Sequence, residues 1–208
     1  MTETKHIALL GTGLIGLPMA KRLMQSGYQL TVYNRTLSKT EPLRQSGATV
    51  AQDPGEAVES AESIILVLAD GGAINETLFS NDSKIDFANK TIIQMGTISP
   101  DESIAFRNCI TAAGGRYFES PILGSIPQAK EGKLIVMVGA TTDQYEHSKD
   151  LLKCFGDVHY IGKVGKAAAL KLALNQLIAT LTAAFSLSLG IVQQSQIEVE
   201  TFMEIPSR

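Results

Sequence analysis

A lysine and an asparagine that lie one helical turn apart are the residues of this sequence best suited to chemistry. Lys171 and Asn175 lie in an almost wholly apolar stretch, residues 164–192, which predicts one long buried helix. Residues four apart share a helix face, so both side chains project together. Burying an ammonium group is costly unless it has a partner or a function. Burial also lowers a lysine pKa toward the range of a general acid. The alternative is a lysine whose stem packs on apolar neighbours while its head reaches water.

A second candidate site is the glycine-rich sequence GTGLIG near the start of the chain. An apolar strand pattern precedes it and a helical pattern follows it, which is the context of a dinucleotide-binding turn. In such turns the helix N-terminus binds phosphate through free N–H groups and the helix dipole. The alternative is an ordinary turn rich in glycine. The predicted cofactor contacts are Gly11, Thr12, Gly13, Leu14, Ile15 and Gly16.

The end of the next predicted strand bears on which dinucleotide binds. NAD-specific domains usually place a carboxylate there for the ribose 2′-hydroxyl. This sequence has Asn34, Arg35 and Thr36 instead, which can all donate hydrogen bonds to a 2′-phosphate. These residues favour NADP(H) over NAD(H), although a polar turn with a solvated arginine has the same composition.

Strand and helix patterns alternate along most of the chain, which predicts a mostly parallel, doubly wound α/β sheet covered on both faces. From about residue 164 only helix is predicted. We therefore expect a nucleotide-binding domain over 1–162, followed over 163–208 by a long helix and the start of an all-helical domain. The predicted strands are 6–11, 29–34, 63–69, 90–96, 115–120, 134–140 and 157–162, and the predicted helices include 14–27, 38–47, 101–114 and 142–156.

Three further strand ends place polar or flexible residues at the same edge of the predicted sheet, where ligands of such folds bind. VLAD ends one strand and contains Leu68 and Ala69. MGTISP offers the hydroxyl of Thr97, and ESPILGS places Gly124 and Ser125 in a loop suited to a small anion.

The composition limits the remaining classes of function. The 208 residues are 44% hydrophobic and 19% charged, with a net charge of -3, which is typical of a globular protein and not of one that binds nucleic acid. Lysines within the long apolar stretch argue against a membrane span. The two cysteines lack disulfide or metal spacing and no secretory signal is recognisable, so we expect a cytoplasmic protein without a metal.

Together these motifs resemble the β-hydroxyacid dehydrogenase family, which includes 3-hydroxyisobutyrate dehydrogenase and the glyoxylate/succinic semialdehyde reductases. The family patterns match here as GTGLIGLPM, ESPILGS and GKVGKAAALKLALN. The resemblance implies a Rossmann-like fold and hydride transfer between NADP(H) and a small hydroxy acid or aldehyde-acid. It makes Lys171 the general acid/base, with Asn175 and Thr97 positioning the substrate and Gly124 and Ser125 holding its carboxylate.

The sequence departs from the family pattern at three places. Leu123 stands where many members have serine, and Ala167 replaces a glycine of the lysine motif. Members continue into a helical bundle beyond the long helix, so we expect this chain to be C-terminally truncated. The apolar helix would then be covered in a homodimer, as it is in family members.

Three other functions are compatible with the same motifs. One is an NADP-binding module that is weak or inactive as a catalyst because the C-terminal lid is absent. Another is an imine reductase, a related architecture in which the catalytic lysine is typically missing. The third is a decarboxylating enzyme resembling 6-phosphogluconate dehydrogenase, which the lack of a large helical domain disfavours.

Overall fold

One nine-stranded sheet forms the centre of the fold in the computed structural model, which describes residues 5–80 and 85–205. Six neighbouring strands are parallel, in the order β3-β2-β1-β4-β5-β6, and β8 runs antiparallel to β6 and β7 and parallel to β9. The strands are β1 His6–Leu10, β2 Gln29–Tyr33, β3 Thr49–Val50, β4 Ser63–Leu66, β5 Thr91–Gln94, β6 Arg116–Glu119, β7 Ile122–Leu123, β8 Leu134–Gly139 and β9 Gly156–Gly162.

Helices connect these strands and supply the rest of the described secondary structure. The helices are α1 Gly16–Gln25, α2 Glu41–Arg44, α3 Pro54–Glu59, α4 Gly71–Phe79, α5 Pro100–Ala112, α6 Ile126–Glu131, α7 Thr142–Leu152, α8 Lys166–Gln194 and α9 Val199–Glu204, with a 3-10 helix at Leu37–Thr40.

The central strands are apolar throughout because both of their faces are buried. Successive side chains of a strand point to opposite faces, so Ile7 and Leu9 of β1 pack in one core cluster while Ala8 and Leu10 pack in the other. Phe118 and Tyr117 of β6 divide between the two clusters in the same way. The predicted doubly wound, mostly parallel α/β fold is confirmed.

The strand order reverses between β1 and β4, which lie side by side although β2 and β3 intervene in sequence. Crossover connections leave these two strands in opposite directions, which opens a crevice beyond their carboxyl ends. The backbone N–H of Val67 donates to the Leu10 carbonyl at 2.8 Å and holds the two strand ends together. The fold therefore creates a ligand-binding position at the glycine-rich turn that follows β1.

Side-chain caps define where several of the connecting helices begin. Asp70 accepts a hydrogen bond from the N–H of Ala73 and starts α4. Ser99 and Glu102 form a capping box at the start of α5. Such caps satisfy N–H groups that the helix itself leaves unpaired. Both helices begin just beyond a strand end, so their caps help to shape the edge where the crevice lies.

The chain divides into two compact units, which meet between Lys171 and Leu172 inside helix α8. The first unit contains the whole sheet and the first turns of α8. The second contains the rest of α8 and α9, where the rings of Phe185 and Phe202 lie 5.9 Å apart. Our domain boundary at 162/163 stays a prediction.

Within one chain α8 is not buried along its length, unlike the buried helix that its sequence predicts. Its first turn is buried at Ala167 and Ala168, but most side chains of the second unit are exposed, with Leu187 at 73%. In the described second unit only the short helix α9 follows, which offers too little surface to cover a long apolar helix. By length and composition α8 could also cross a membrane, although a single helix of this kind is weak evidence for a span.

Candidate active site

A cavity of about 560 Å³ lies at the carboxyl edge of the sheet, in the first unit. It brings together the ends of β1, β2, β4 and β5 with the loop after β6 and the first turns of α8. Its lining residues are Gly11, Gly13, Leu14, Ile15, Gly16, Tyr33, Asn34, Arg35, Thr36, Lys39, Val67, Leu68, Ala69, Ala73, Glu76, Thr77, Met95, Gly96, Thr97, Ile122, Gly124 and Lys171.

The glycines of the turn after β1 differ in what surrounds them. Gly11 has a φ of 102°, and a side chain there would overlap the carbonyl oxygen of Val67. A side chain at Gly16 would overlap the carbonyl oxygen of Gly11. At Gly13, by contrast, a Cβ would have no heavy atom of the described residues within 4 Å apart from those of Gly13 and its two chain neighbours. Gly11 and Gly16 therefore let the turn pack, while Gly13 leaves open space for a ligand.

The start of helix α1 is suited to an anion. Leu14, in the turn before it, is 78% exposed, so the backbone there is accessible. Within the described residues, the first turn of α1 contains no acidic side chain that would neutralise the positive end of the helix dipole. Together with the open space at Gly13, these features fit the pyrophosphate of a dinucleotide.

Thr12 lies outside the cavity lining, unlike the rest of the predicted turn. It is only 3% exposed; its N–H donates to Asn34 Oδ1 at 3.1 Å, and its hydroxyl donates to the Lys39 carbonyl at 3.3 Å. Asn34 Nδ2 in turn donates to the Thr36 carbonyl at 3.0 Å. Thr12 and Asn34 thus join the turn to the end of β2, and a direct cofactor contact by Thr12 stays a prediction.

Arg35 lines the cavity, but a carboxylate that the sequence analysis missed accompanies it. Arg35 Nη1 lies 2.9 Å from Glu76 Oε2, and both side chains are exposed. Glu76 belongs to α4, 41 positions along the chain. Lys39, also missed, lies on the same lining and adds a second cation. The predicted helix over 38–47 contains Lys39, but no local sequence signal places Lys39 or Glu76 beside Arg35.

Lys171 lines the cavity and is half-buried rather than enclosed by its leucine neighbours. Burial lowers the pKa of its ammonium group below the ordinary lysine value. Among residues 5–80 and 85–205, no carboxylate forms an ion pair with it. A cation without a countercharge at a cavity wall can stabilise negative charge on a bound group or give up a proton.

The predicted substrate residues are placed differently from one another. Thr97 and Gly124 line the cavity with Lys171. Ser125 lies outside the lining, where it is the N-cap of α6, and its N–H and hydroxyl donate to Gln128 Oε1 at 3.0 and 2.7 Å. Asn175 lies one turn beyond Lys171 on α8, in the second unit. Leu68 and Ala69, predicted as cofactor contacts, line the cavity.

The site as a whole combines an anion-binding turn, cations and a lysine on one lining. In the described ranges, no three His, Cys, Asp or Glu side chains cluster as metal ligands. The fold and this lining define a dinucleotide-binding domain of the oxidoreductase type.

Comparison with known proteins gives the family. Residues 6–165 match the model described as the NAD binding domain of 6-phosphogluconate dehydrogenase, and the chain belongs to this family of NAD(P)-dependent, hydroxyacid dehydrogenase-type oxidoreductases. The resemblance to the β-hydroxyacid dehydrogenases is confirmed. The pyridine nucleotide as the class of cofactor is supported by the same match.

Relatives with named activities cover nearly the whole chain. Glyoxylate/succinic semialdehyde reductase 1 of Arabidopsis thaliana is 31% identical over 96% of this chain and 70% of its own length. The mitochondrial 3-hydroxyisobutyrate dehydrogenase of Drosophila melanogaster is 28% identical over 97% of this chain and 62% of its own. A reductive aminase from Aspergillus terreus, solved with NADPH and ethyl levulinate, has a TM-score of 0.88 at 25% identity, covering 99% of this chain and 72% of that one.

The surroundings of the turn glycines predict opposite results for two alanine variants. Gly13→Ala should leave the melting temperature unchanged but weaken NADPH binding by about tenfold or more, because the methyl group enters the ligand space. Gly16→Ala should lower the melting temperature, because its methyl group overlaps the Gly11 carbonyl. Calorimetric binding titrations and thermal unfolding measure the two effects.

Gly190→Ala is the matched control for NADPH affinity, which it should leave unchanged. Its Cβ also meets open space, but Gly190 lies in the second unit. Unchanged NADPH affinity in Gly13→Ala would contradict the assignment of this turn to the pyrophosphate.

Proposed function

We propose that this protein transfers a hydride between NADP(H) and a small hydroxy acid or the corresponding aldehyde-acid, with Lys171 as general acid/base. The observation that carries the proposal is that one cavity is lined both by the phosphate-binding turn and by a half-buried lysine. The two lie at opposite ends of the sequence and only the fold brings them together. The named activities of the plant reductase and the fly dehydrogenase support this reaction class.

The residues of the cavity have separate roles in this reaction. When bound, the nicotinamide ring supplies or accepts the hydride. Lys171 donates a proton to the substrate oxygen as the carbonyl carbon is reduced, and takes the proton back in the oxidation direction. Its ammonium group also stabilises the negative charge that develops on that oxygen. A pKa lowered by burial brings this proton transfer closer to neutral pH.

The preference for NADP(H) depends on three charges at the end of β2. Arg35 and Lys39 would attract the 2′-phosphate, and Asn34 and Thr36 offer hydrogen-bonding groups beside them. Glu76 acts against them, because it already pairs with Arg35 and repels a phosphate. We therefore propose NADP(H) as the preferred cofactor. The preference over NAD(H) is smaller than it would be with Arg35 and Lys39 alone, because Glu76 opposes it.

The substrate is proposed to be a small acid bound by its carboxylate. Thr97 and Gly124 lie on the same lining as Lys171, which supports a position for the carboxylate beside the reacting carbon. Ser125 and Asn175 are proposed as further substrate contacts from the family resemblance, since neither lines this cavity. Glyoxylate, succinic semialdehyde and 3-hydroxyisobutyrate are the acids that the names of the relatives suggest.

A second candidate is reduction of a C=N bond. The likeness to the reductive aminase favours it, because that enzyme has the same fold over 99% of this chain. An NADP-binding module without turnover is another alternative, and NADPH turnover measured with and without an amine separates it from the two reductases.

We also propose that the protein is a cytoplasmic homodimer that pairs through α8. The exposed leucines and isoleucines of the second unit form an apolar surface of the kind that marks an interface. Both cysteines are free, which suits a reducing compartment.

Replacing Lys171 tests the reaction. Lys171→Met should lower kcat by about 10²- to 10⁴-fold, as expected for loss of a general acid, while NADPH affinity stays unchanged. The assay follows loss of NADPH absorbance with glyoxylate, succinic semialdehyde, or a ketone plus an amine. The exposed Lys163→Ala is the control and should keep full activity.

In the wild type, kcat for reduction should fall as pH rises through an apparent pKa below the ordinary lysine value, because the ammonium form is the acid.

Turnover retained in Lys171→Met would contradict the proposed role of Lys171 as general acid/base. NADPH binding without turnover in the wild type would leave a binding module, and turnover only with the amine would indicate the imine reductase.

Two single substitutions at the ion pair should change cofactor selectivity in opposite directions. Arg35→Gln should weaken NADPH binding several-fold to about tenfold, and Glu76→Gln should strengthen it by a similar factor, while NADH affinity changes little. Dissociation constants for both nucleotides at low and high salt measure this, and the effects should shrink as salt rises. Equal changes for NADPH and NADH would rule out contact with a 2′-phosphate.

A charged residue on α8 should separate the proposed dimer. Sedimentation velocity should show a dimer for the wild type and a monomer for Leu187→Glu, because a carboxylate is costly in an apolar interface. Gln193→Glu changes an exposed residue that is already polar and should remain dimeric. A wild type that stays monomeric at all concentrations would refute pairing through this helix.

A further inference from the structure

Glu119 is a buried carboxylate that has no role in the proposed hydride transfer. It ends strand β6 and is 1% exposed, although it opens the ESPILGS segment predicted to bind substrate. It does not belong to the cavity lining. A buried carboxylate is tolerated only when its oxygens are fully hydrogen-bonded.

One oxygen of this carboxylate caps helix α8. Glu119 Oε1 accepts hydrogen bonds from the N–H groups of Gly165, Ala167 and Ala168 at 2.8, 2.9 and 3.0 Å. Helices leave their first N–H groups unpaired, and a negative charge there also interacts favourably with the positive end of the helix dipole. Three backbone N–H groups thus donate to one atom, Glu119 Oε1, which belongs to a residue 46 to 49 positions earlier in the chain.

The other side of the carboxylate is held by the sheet and by α5. The hydroxyl of Ser103 donates to Glu119 Oε2, and Ser103 Oγ lies 2.9 Å from the hydroxyl of Tyr117. Burial raises the pKa of Tyr117, so its hydroxyl stays protonated and can donate to Ser103. A side chain at Gly139 of β8 would come within 2.7 Å of Glu119 Cγ, so glycine leaves the room that Glu119 occupies.

The capped turn lies directly before the proposed catalytic lysine. Ala167 and Lys171 are four residues apart and share one face of α8, and Ala168 is three residues away. At 1.5 Å per residue, Ala167 and Lys171 are about 6 Å apart along the helix axis. The position and direction of this turn therefore determine where the Lys171 side chain leaves the helix.

We propose that Glu119 is the positioning residue for Lys171, holding the first turn of α8 at the end of β6 so that the ammonium group faces the cavity. This inference rests on the proposed role of Lys171. Glu119 does not line the cavity and acts only through Lys171. One side chain in this way fixes β6, which leads into the proposed substrate loop, to α8, which carries Lys171.

Three variants separate positioning from general stability. Glu119→Ala removes the cap, and kcat should fall about tenfold or more with NADPH affinity unchanged, since small displacements of a catalytic group are costly. Glu119→Gln keeps a carbonyl oxygen for the three N–H groups and should retain kcat to within about threefold. Ser103→Ala is the matched control, because it removes the hydrogen bond to Glu119 Oε2 but leaves Oε1 with its three N–H donors, so it should lower the melting temperature without lowering kcat.

Two measurements do not depend on turnover. Amide hydrogen exchange over residues 165–171 should be faster in Glu119→Ala than in Ser103→Ala, because only the first loses the cap. The rate at which the Lys171 amine is acetylated can be measured by mass spectrometry relative to the other lysines. This rate should change by about threefold or more in Glu119→Ala and stay constant in Ser103→Ala.

The outcomes distinguish this inference from the proposed function. If the wild type reduces the acids but Glu119→Ala loses no more kcat than Ser103→Ala, the positioning role is wrong and the reaction stands. If the wild type has no turnover, exchange and acetylation still decide whether Glu119 holds Lys171. If Glu119→Ala does not fold, Glu119→Gln decides, because a loss of kcat well beyond threefold would show that preserving the cap does not preserve the site.

Discussion

The parallel pairing of β1 with β4 is the constraint on which the rest of this structure depends. It places the turn after β1 against Val67, and the Val67 N–H to Leu10 carbonyl bond holds both strand ends. Gly11 and Gly16 then have to be glycines, because a side chain at either position would enter neighbouring backbone. The crevice, the accessible start of α1 and the open space at Gly13 all follow from this close approach.

The charges around the cavity show how one fold can adjust its ligand without changing its backbone. Cations at Arg35 and Lys39 and the carboxylate of Glu76 lie together at the end of β2, while Lys171 lies on the same lining with no ion pair among the described residues. An exposed pair such as Arg35–Glu76 contributes little to stability and is therefore free to change with the cofactor. Lys171 is different, because it is half-buried and burial lowers the pKa of its ammonium group, which suits the proposed proton transfer.

Helix α8 has one sequence pattern but two environments. Ala167 and Ala168 of its first turn are buried and donate their N–H groups to Glu119, whereas leucines farther along are exposed in the second unit. The boundary between the compact units falls at Lys171, between these two environments.

The sequence by itself was enough for the parallel sheet, the glycine turn and the candidate lysine, because buried strands, phosphate-binding turns and helices have local patterns. It predicted Gly13, Arg35 and Thr97 on one site, since the carboxyl ends of parallel strands meet at one edge. It did not reveal Glu76 beside Arg35, Glu119 beneath α8, or the exposed leucines of that helix. Those features depend on which residues meet across 41 or more positions, and on how much surface remains to cover an apolar face. Only the tertiary structure decides such contacts, because local sequence patterns carry no information about distant partners.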